Sequence, residues 1–281
     1  MVVHNTLSAL TECHFGGHNI VEIYNGEHLV WPVSTPPVPP SNWKAAYTTN
    51  SGTTYYIPCD SSTTLTRLEL TTSISDNRLS VSSVTDVEIG TCVTTIGDNL
   101  CNNFPALTGV TIPNTVTTIE WDAFRDCPLL PELIVPSGIT SIPSSLVDGD
   151  FELTTTNIPD GVTSIGVEAY MDCLSLLNIT IPSSVTSIDD DAFGSVYWER
   201  EGSSYQYDKM IYMNEHRTVT CLATIPPTLS GYWNEFGIIG APDVPFGDMA
   251  TYPIYVPAAS LNDYKTEWSY YADRIFAIPN E

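Results

Sequence analysis

Through its middle the chain repeats itself every 23 residues. An aliphatic residue followed by proline recurs at Ile112-Pro113, Val135-Pro136, Ile158-Pro159 and Ile181-Pro182, with Ile89-Gly90 one step earlier. A second series keeps the same phase: Val93-Thr-Thr-Ile96, Val116-Thr-Thr-Ile119, Ile139-Thr-Ser-Ile142, Val162-Thr-Ser-Ile165 and Val185-Thr-Ser-Ile188. So do the leucines 107, 130, 153 and 176 and the pairs Ala123-Phe124, Ala169-Tyr170 and Ala192-Phe193. Together they mark five successive copies of one unit. A unit this short cannot bury its own apolar face; copies must stack so that each inward residue meets its equivalents above and below.

Within the unit 107–130, Leu107, Val110 and Ile112 space as a short strand. Pro113 ends it, and Asn114-Thr115 is turn chemistry. Val116 and Ile119 point inward from a second extended segment, and Trp121 to Cys127 reads as one helical turn burying Ala123, Phe124 and Cys127. Roughly seven inward side chains give on the order of 10–20 kcal/mol of gross burial per unit. Chain ordering offsets most of it, so the net comes from neighbours. The unit at 130–152 carries Ser145-Leu-Val-Asp-Gly-Asp150 in place of the Ala-Phe-x-x-Cys element, which predicts a shortened or distorted turn. Upstream, Leu65-Thr-Arg-Leu68-Glu-Leu70 reads as the strand of an N-terminal variant unit. The fold class expected is an α/β-type solenoid, mostly β: an array of 23-residue units with a parallel sheet, an N-terminal β-hairpin module and an irregular C-terminal cap.

Flanking segments divide the chain further. Residues 1–31 form an anchor module, 32–42 a linker, 43–196 the solenoid and 197–281 the cap. In the anchor, Val21 to Tyr24 and His28 to Trp31 are apolar runs around Asn25-Gly26, a hairpin signature. A lone hairpin is marginal, so Val21, Ile23, Tyr24, Leu29, Val30 and Trp31 are expected to pack on other copies or on a larger body. The linker holds five prolines in eleven residues and favours a semi-rigid spacer. The cap loses the period, is rich in aromatics (Tyr197, Trp198, Tyr205, Tyr207, Tyr212, Tyr232, Trp233, Phe236), and ends in a short helix near 260–271 with Ser260 as N-cap.

Charge excludes some partners. Against 33 acidic residues stand 9 basic ones, a net charge of -24. Such a surface repels nucleic acid and anionic bilayers, and suits a solvated exterior, a cationic partner or divalent cations. No apolar run is long enough to span a membrane. The first residues lack a basic and an apolar export region, so we expect synthesis in a cytoplasm without an export signal. Of the seven cysteines, Cys127 and Cys173 lie two periods apart, and the set is read as reduced core thiols.

Motifs for catalysis are missing: there is no GxSxG elbow, phosphate loop, HExxH or dinucleotide fingerprint. Cys13, His14 and His18 have metal-compatible spacing but no obvious fourth ligand. Asp189-Asp190-Asp191 and Asp148-Gly149-Asp150 could hold calcium, although neither follows the D-x-D-x-D-G loop pattern; the 189–191 run precedes Ala192-Phe193, and there the dipole favours loading the start of a helical turn over calcium. The expectation is no enzyme, no cofactor and no metal. The strand side should present Thr108, Thr111, Asn157, Asn178 and Thr180 outward, where small polar groups could meet a glycan or a protein or simply face solvent.

The phrase Leu-Thr-Gly-Val-Thr-Ile-Pro-Asn-Thr-Val-Thr-Thr-Ile-Glu-Trp-Asp-Ala-Phe-Arg-Asp-Cys (107–127) resembles the BspA-type leucine-rich repeat over about residues 84–195. Val219 to Leu229 and Ile254 to Ile275 resemble the closing segments of such proteins. Asn19-Ile-Val-Glu-Ile-Tyr-Asn-Gly-Glu-His-Leu-Val-Trp-Pro32 resembles a module that starts virion proteins of phages infecting gut Bacteroidetes. The first resemblance implies adhesion and binding rather than catalysis. The second implies a virion structural protein, a head- or tail-fibre-like component made in the host cytoplasm. Its partners would be other virion proteins, copies of itself (a homo-oligomer, with a trimer favoured) and a host surface glycan or protein. A bacterial cell-surface adhesin is the alternative.

Overall fold

The computed structural model describes residues 42–194, 217–229 and 252–279 in full, and the backbone alone of strands Cys13–Phe15, His18–Asn25, His28–Val33, Tyr197–Glu199 and Lys209–Ile211. Three ladders run along the stacked units. On one side strands Val84–Ile89, Gly109–Thr111, Glu132–Leu133, Thr155–Thr156, Asn178–Ile181, Thr218–Cys221, Ile254–Val256 and Ile275–Ala277 follow one another; every pairing recorded among them is parallel. On a second side, Leu65 pairs with Ile96, Ile96 with Ile119, Ile142 with Ile165, Ile165 with Ile188 and Ile188 with Leu229. Leu107, Leu130, Leu153, Leu176, Val116, Ile139, Val162 and Val185 are all buried between them. The Ile-Pro positions line up too: Ile181 pairs with Cys221, Val135 is buried, and Ile112 and Ile158 pack partly buried against the core.

Pro131 explains one interruption. Thr108 and Thr154 each donate their N–H to the preceding unit, to Thr85 O at 2.7 Å and Pro131 O at 2.9 Å. Proline at the equivalent place has no N–H to give, and strands Gly109–Thr111 and Glu132–Leu133 fall into separate hydrogen-bonded groups.

The third side corrects the helical-turn expectation. No helix forms over 121–127; the segment is a run of tight turns that makes its own ladder. Asp122 N donates to Ser144 O, Phe124 N to Leu146 O and Asp126 N to Asp148 O, at 2.8 to 3.1 Å, and the next interface repeats this through Ser145, Val147 and Gly149. Two positions per unit take the left-handed backbone: Asn99, Asp122, Ser145, Glu168 and Asp191 at the first, Asn103, Asp126, Gly149 and Asp172 at the second. Asn, Asp and Gly enter that region at least cost, which accounts for the polar residues there. Asp191 therefore serves a left-handed turn and not a helix N-terminus. Nor is the unit at 130–152 shortened: Leu146 and Val147 take the Ala and Phe places and are fully buried.

Both ends differ from the sequence reading. Leu65 lies in the second ladder, but Arg67–Asp76 is an α-helix (α1), started by a capping box between Thr66 and Glu69. Strand Trp43–Thr49 pairs antiparallel with Thr54–Pro58 and with Val84–Ile89, closing the sheet edge. Gly90 replaces the usual proline because its N–H donates to Lys44 O at 2.9 Å, and a Cβ there would strike Trp43 O. Cys59 and Cys92 form a disulfide, so the reduced-thiol reading fails for this pair, while Cys101, Cys127, Cys173 and Cys221 are free and buried. The tail is less irregular than expected, since 218–221, 254–256 and 275–277 continue the parallel sheet. Helix α2 spans Leu261–Glu267. Ser260 precedes it without capping it; its hydroxyl donates to Thr224 O at 2.7 Å.

At the N-terminus, His18–Asn25 pairs antiparallel with His28–Val33, with Tyr24 opposite Leu29. The side chains of the anchor residues, of Cys13, His14 and His18, the proline-rich stretch 34–41, and the aromatics at 197–212 and 232–236 lie outside the described residues.

Candidate functional site

The strand ladder has an outward face because burial alternates along each strand. In Asn178–Ile181, Ile179 and Ile181 are buried while Asn178 and Thr180 are exposed; in Val84–Ile89, Val87 and Ile89 are buried while Asp86 and Glu88 are exposed. Parallel register turns this alternation into rows. Glu88 lies beside Thr111, Thr180 beside Thr220, Thr220 beside Tyr255 and Tyr255 beside Phe276. Ile134 and Asn157, next to the paired residues Leu133 and Thr156, fall in the same row.

The five residues expected to bind ligand all sit on this side but do not converge on one spot. Thr108 is exposed and its hydroxyl donates to Thr85 O at 3.1 Å. Thr111 is exposed next to Glu88. Asn157 is committed to the fold: its Oδ1 accepts from Val135 N at 2.7 Å and its Nδ2 donates to Val135 O at 3.0 Å. Asn178 Oδ1 accepts from Thr218 Oγ1 at 2.7 Å, and Thr180 is exposed beside Thr220. Asn178 and Thr180 are thus brought together with Thr218 and Thr220, three unit steps from Thr111, or about 14 Å at the usual strand spacing. Sequence reading missed Tyr255 and Phe276, which extend the row; their rings lie 6.2 Å apart and tilted by 45°.

Charge changes along the face. Its N-terminal part carries Asp86, Glu88 and Glu132, whereas Asn178, Thr180, Thr218, Thr220, Tyr255 and Phe276 are uncharged.

The turn side holds a different cluster. Asp150 is fully buried where neighbouring units carry Cys127 and Cys173. Its Oδ1 accepts from Cys127 N at 2.7 Å, while Oδ2 has no hydrogen-bond partner among the described residues. Burial pushes its carboxyl well above the usual carboxylate range, against the Cys127 hydrogen bond. Asp148 is pushed up to about 7 by burial, although Arg125 at 3.1 Å opposes the shift. Among the described residues no group of three or more His, Cys, Asp or Glu is arranged to hold a metal ion.

Nothing described here points to catalysis. Burial pushes the thiols of Cys101, Cys127, Cys173 and Cys221 up, so they remain protonated core groups rather than nucleophiles. A cleft of about 650 Å³ lies at the C-terminal end between Thr224–Leu229 and Asp263–Tyr271.

Several solved structures are similar. A leucine rich repeat protein of T. pallidum is 21% identical with a TM-score of 0.42, over 49% of this chain and 59% of that one. A leucine rich cell surface protein of Faecalibacterium prausnitzii is 18% identical with a TM-score of 0.31, over 63% of this chain and 62% of that one. A leucine-rich repeat protein of Bacteroides ovatus is 15% identical with a TM-score of 0.35, over 89% of this chain and 71% of that one. The chain spans about three fifths of the length of the first two, and these likenesses bear on neither ligand nor partner. No curated protein matches the chain. Residues 59–197, which build the stacked ladders, match in six copies the family described as BspA type leucine rich repeat region.

Proposed function

We propose that the chain is a display protein that binds through its solenoid: the N-terminal segment 1–31 anchors it to a phage particle and the rungs are held outward to meet a host surface. The observation that carries the binding part is the exposed to half-buried outward row from Glu88 to Phe276 among the described residues, built on rungs whose inward residues pack into the core. A rigid scaffold with small polar and aromatic side chains in register supports recognition. The particle part rests on the resemblance of residues 19–32 to virion modules. In this reading Val21, Ile23, Tyr24, Leu29, Val30 and Trp31 meet other virion proteins and other copies of the chain, as a trimer. Many copies on one particle raise a modest affinity per head.

A second reading, a bacterial cell-surface adhesin, draws support from the Cys59–Cys92 disulfide, since such bonds persist mainly in oxidising surroundings. Quantitative mass spectrometry of purified particles and of host envelopes separates the two. Enrichment in particles is expected; enrichment in envelopes with absence from particles overturns the virion reading and leaves the adhesin.

A further inference from the structure

We propose that the C-terminal third of the strand face is a binding platform for an uncharged, extended polysaccharide, with Tyr255 and Phe276 stacking on sugar rings and Thr180, Thr220 and the Asn178–Thr218 pair hydrogen-bonding beside them. The proposal rests on the display reading only in that the solenoid faces outward; it names the class of ligand and the place.

Four consecutive strands build the platform. Thr180, Thr220, Tyr255 and Phe276 are neighbours in register, and the residues flanking them along their strands, Ile179, Val219, Ile254 and Ile275, are buried. The four side chains therefore leave the same face. Phe276 is 48% exposed on the last strand of the sheet, with the half-buried Tyr255 ring 6.2 Å away. Leaving apolar ring surface in water is unfavourable, and a pyranose presents a flat C–H face that covers such a ring while its hydroxyls stay polar.

The rest of the patch fits a sugar better than a protein core. Asn178 Oδ1 accepts from Thr218 Oγ1 at 2.7 Å, which fixes the amide and leaves its NH₂ directed by that bond at little further entropic cost on binding. Adjacent strands lie about 4.8 Å apart, close to the length of one sugar in an extended β-linked chain, so successive sugars fall over successive strands. Electrostatics excludes an anionic chain. Among the described residues the platform bears no ionised group to pair with a charged sugar, and a molecule of net charge -24 repels a polyanion at long range. Glu132, two strand steps from Asn178, adds to that repulsion.

Affinity electrophoresis of the full chain tests this with four neutral polysaccharides in the gel: mixed-linkage β-glucan, xyloglucan, galactomannan and arabinoxylan, with polygalacturonate as the anionic arm. Retardation by at least one neutral polysaccharide and none by polygalacturonate is expected. Tyr255→Ala with Phe276→Ala should weaken it at least tenfold, and Thr140→Ala, exposed beside the second ladder and off this face, should leave it unchanged. Thr180→Arg, at an exposed position that the fold does not need, places a long side chain across the path and should weaken it whether or not the aromatic variants fold. Retardation by none of the four, retention in Thr180→Arg, or a change of oligomeric state on removing Phe276 that accounts for the patch as a contact between copies would each overturn the proposal. These outcomes are independent of whether the chain is found in particles or in envelopes.

Discussion

Asp150 accepts a hydrogen bond from the Cys127 main-chain N–H at 2.7 Å, from within the column where the flanking units place the thiols of Cys127 and Cys173. One unit has thus put an acid into an apolar spine. Its folded pKa is raised, so the folded chain binds that proton more tightly than the unfolded chain does, and the contribution is fully present below the unfolded value and lost as pH rises through the folded one. Asp148, at about 7, acts in the same sense between about pH 4 and 7. Melting temperature should fall from pH 5 to pH 8. The overall negative charge contributes the same trend, so the measurement is the difference: Asp150→Asn should melt with a smaller pH dependence than the natural chain, and an equal dependence would refute the assignment.

Glu168 holds a left-handed backbone, at φ 56°, where other units use Asn, Asp or Ser. That region costs a non-glycine residue about 1 kcal/mol or more. Glu168→Gly should therefore stabilise the solenoid by about 0.5–1 kcal/mol in urea unfolding, net of the unfolded-state entropy that glycine adds. Gly149→Ala should do the reverse, because Gly149 has φ 78° and a Cβ would meet Asp126 Oδ1 at 2.7 Å.

Arg217 is fully buried and donates from Nε to Leu176 O at 3.1 Å, from Nη1 to Phe193 O at 2.6 Å and from Nη2 to Cys173 O at 2.8 Å. It serves the main chain where the regular units end. Arg217→Met keeps most of the volume but removes three hydrogen bonds; Cys173 O keeps the Leu176 N–H and Phe193 O the Tyr252 hydroxyl, while Leu176 O loses its donor, and the chain should be destabilised by on the order of 3 kcal/mol. Thermal unfolding followed by circular dichroism measures it; Arg217→Lys should restore only part, since one ammonium cannot reproduce the fork.

The Cys59–Cys92 disulfide ties the N-terminal cap to the first unit across a separation of 33 residues. Closing a loop of that size is worth about 3.5 kcal/mol in the chain-entropy account. Cys59→Ser should lower the urea midpoint accordingly and leave the amide exchange of Val162 to Ile188 protected, because stacked units are coupled mainly to their neighbours.

Much of the architecture was legible because each inward column repeats one residue type, and a period needs no knowledge of local conformation. The turn side was not. Asp191 looked like charge at a helix start, whereas its place, like those of Asp122, Asp126 and Asp172, is set by left-handed backbone; the recurrence of Asn, Asp, Ser or Gly at 99, 122, 145 and at 103, 126, 149 carried that signal. The platform was hidden for another reason. Thr180, Thr220, Tyr255 and Phe276 are neighbours in space, but longer stretches of chain separate most of them than within the array, so the period gives no phase to read there. Cys59 and Cys92 were missed similarly, because their spacing bears no relation to the repeat.

Stacking in register is tested most directly by a distance along the row. Nitroxide labels at Glu88→Cys and Thr220→Cys, in a Cys13→Ser background whose remaining free thiols are buried, lie five strand steps apart. Double electron–electron resonance should give one narrow distribution centred near 24 Å, five times the usual strand spacing. A distribution centred at twice that separation, or one spread broadly with no maximum there, would contradict the stacked solenoid and the binding face built on it.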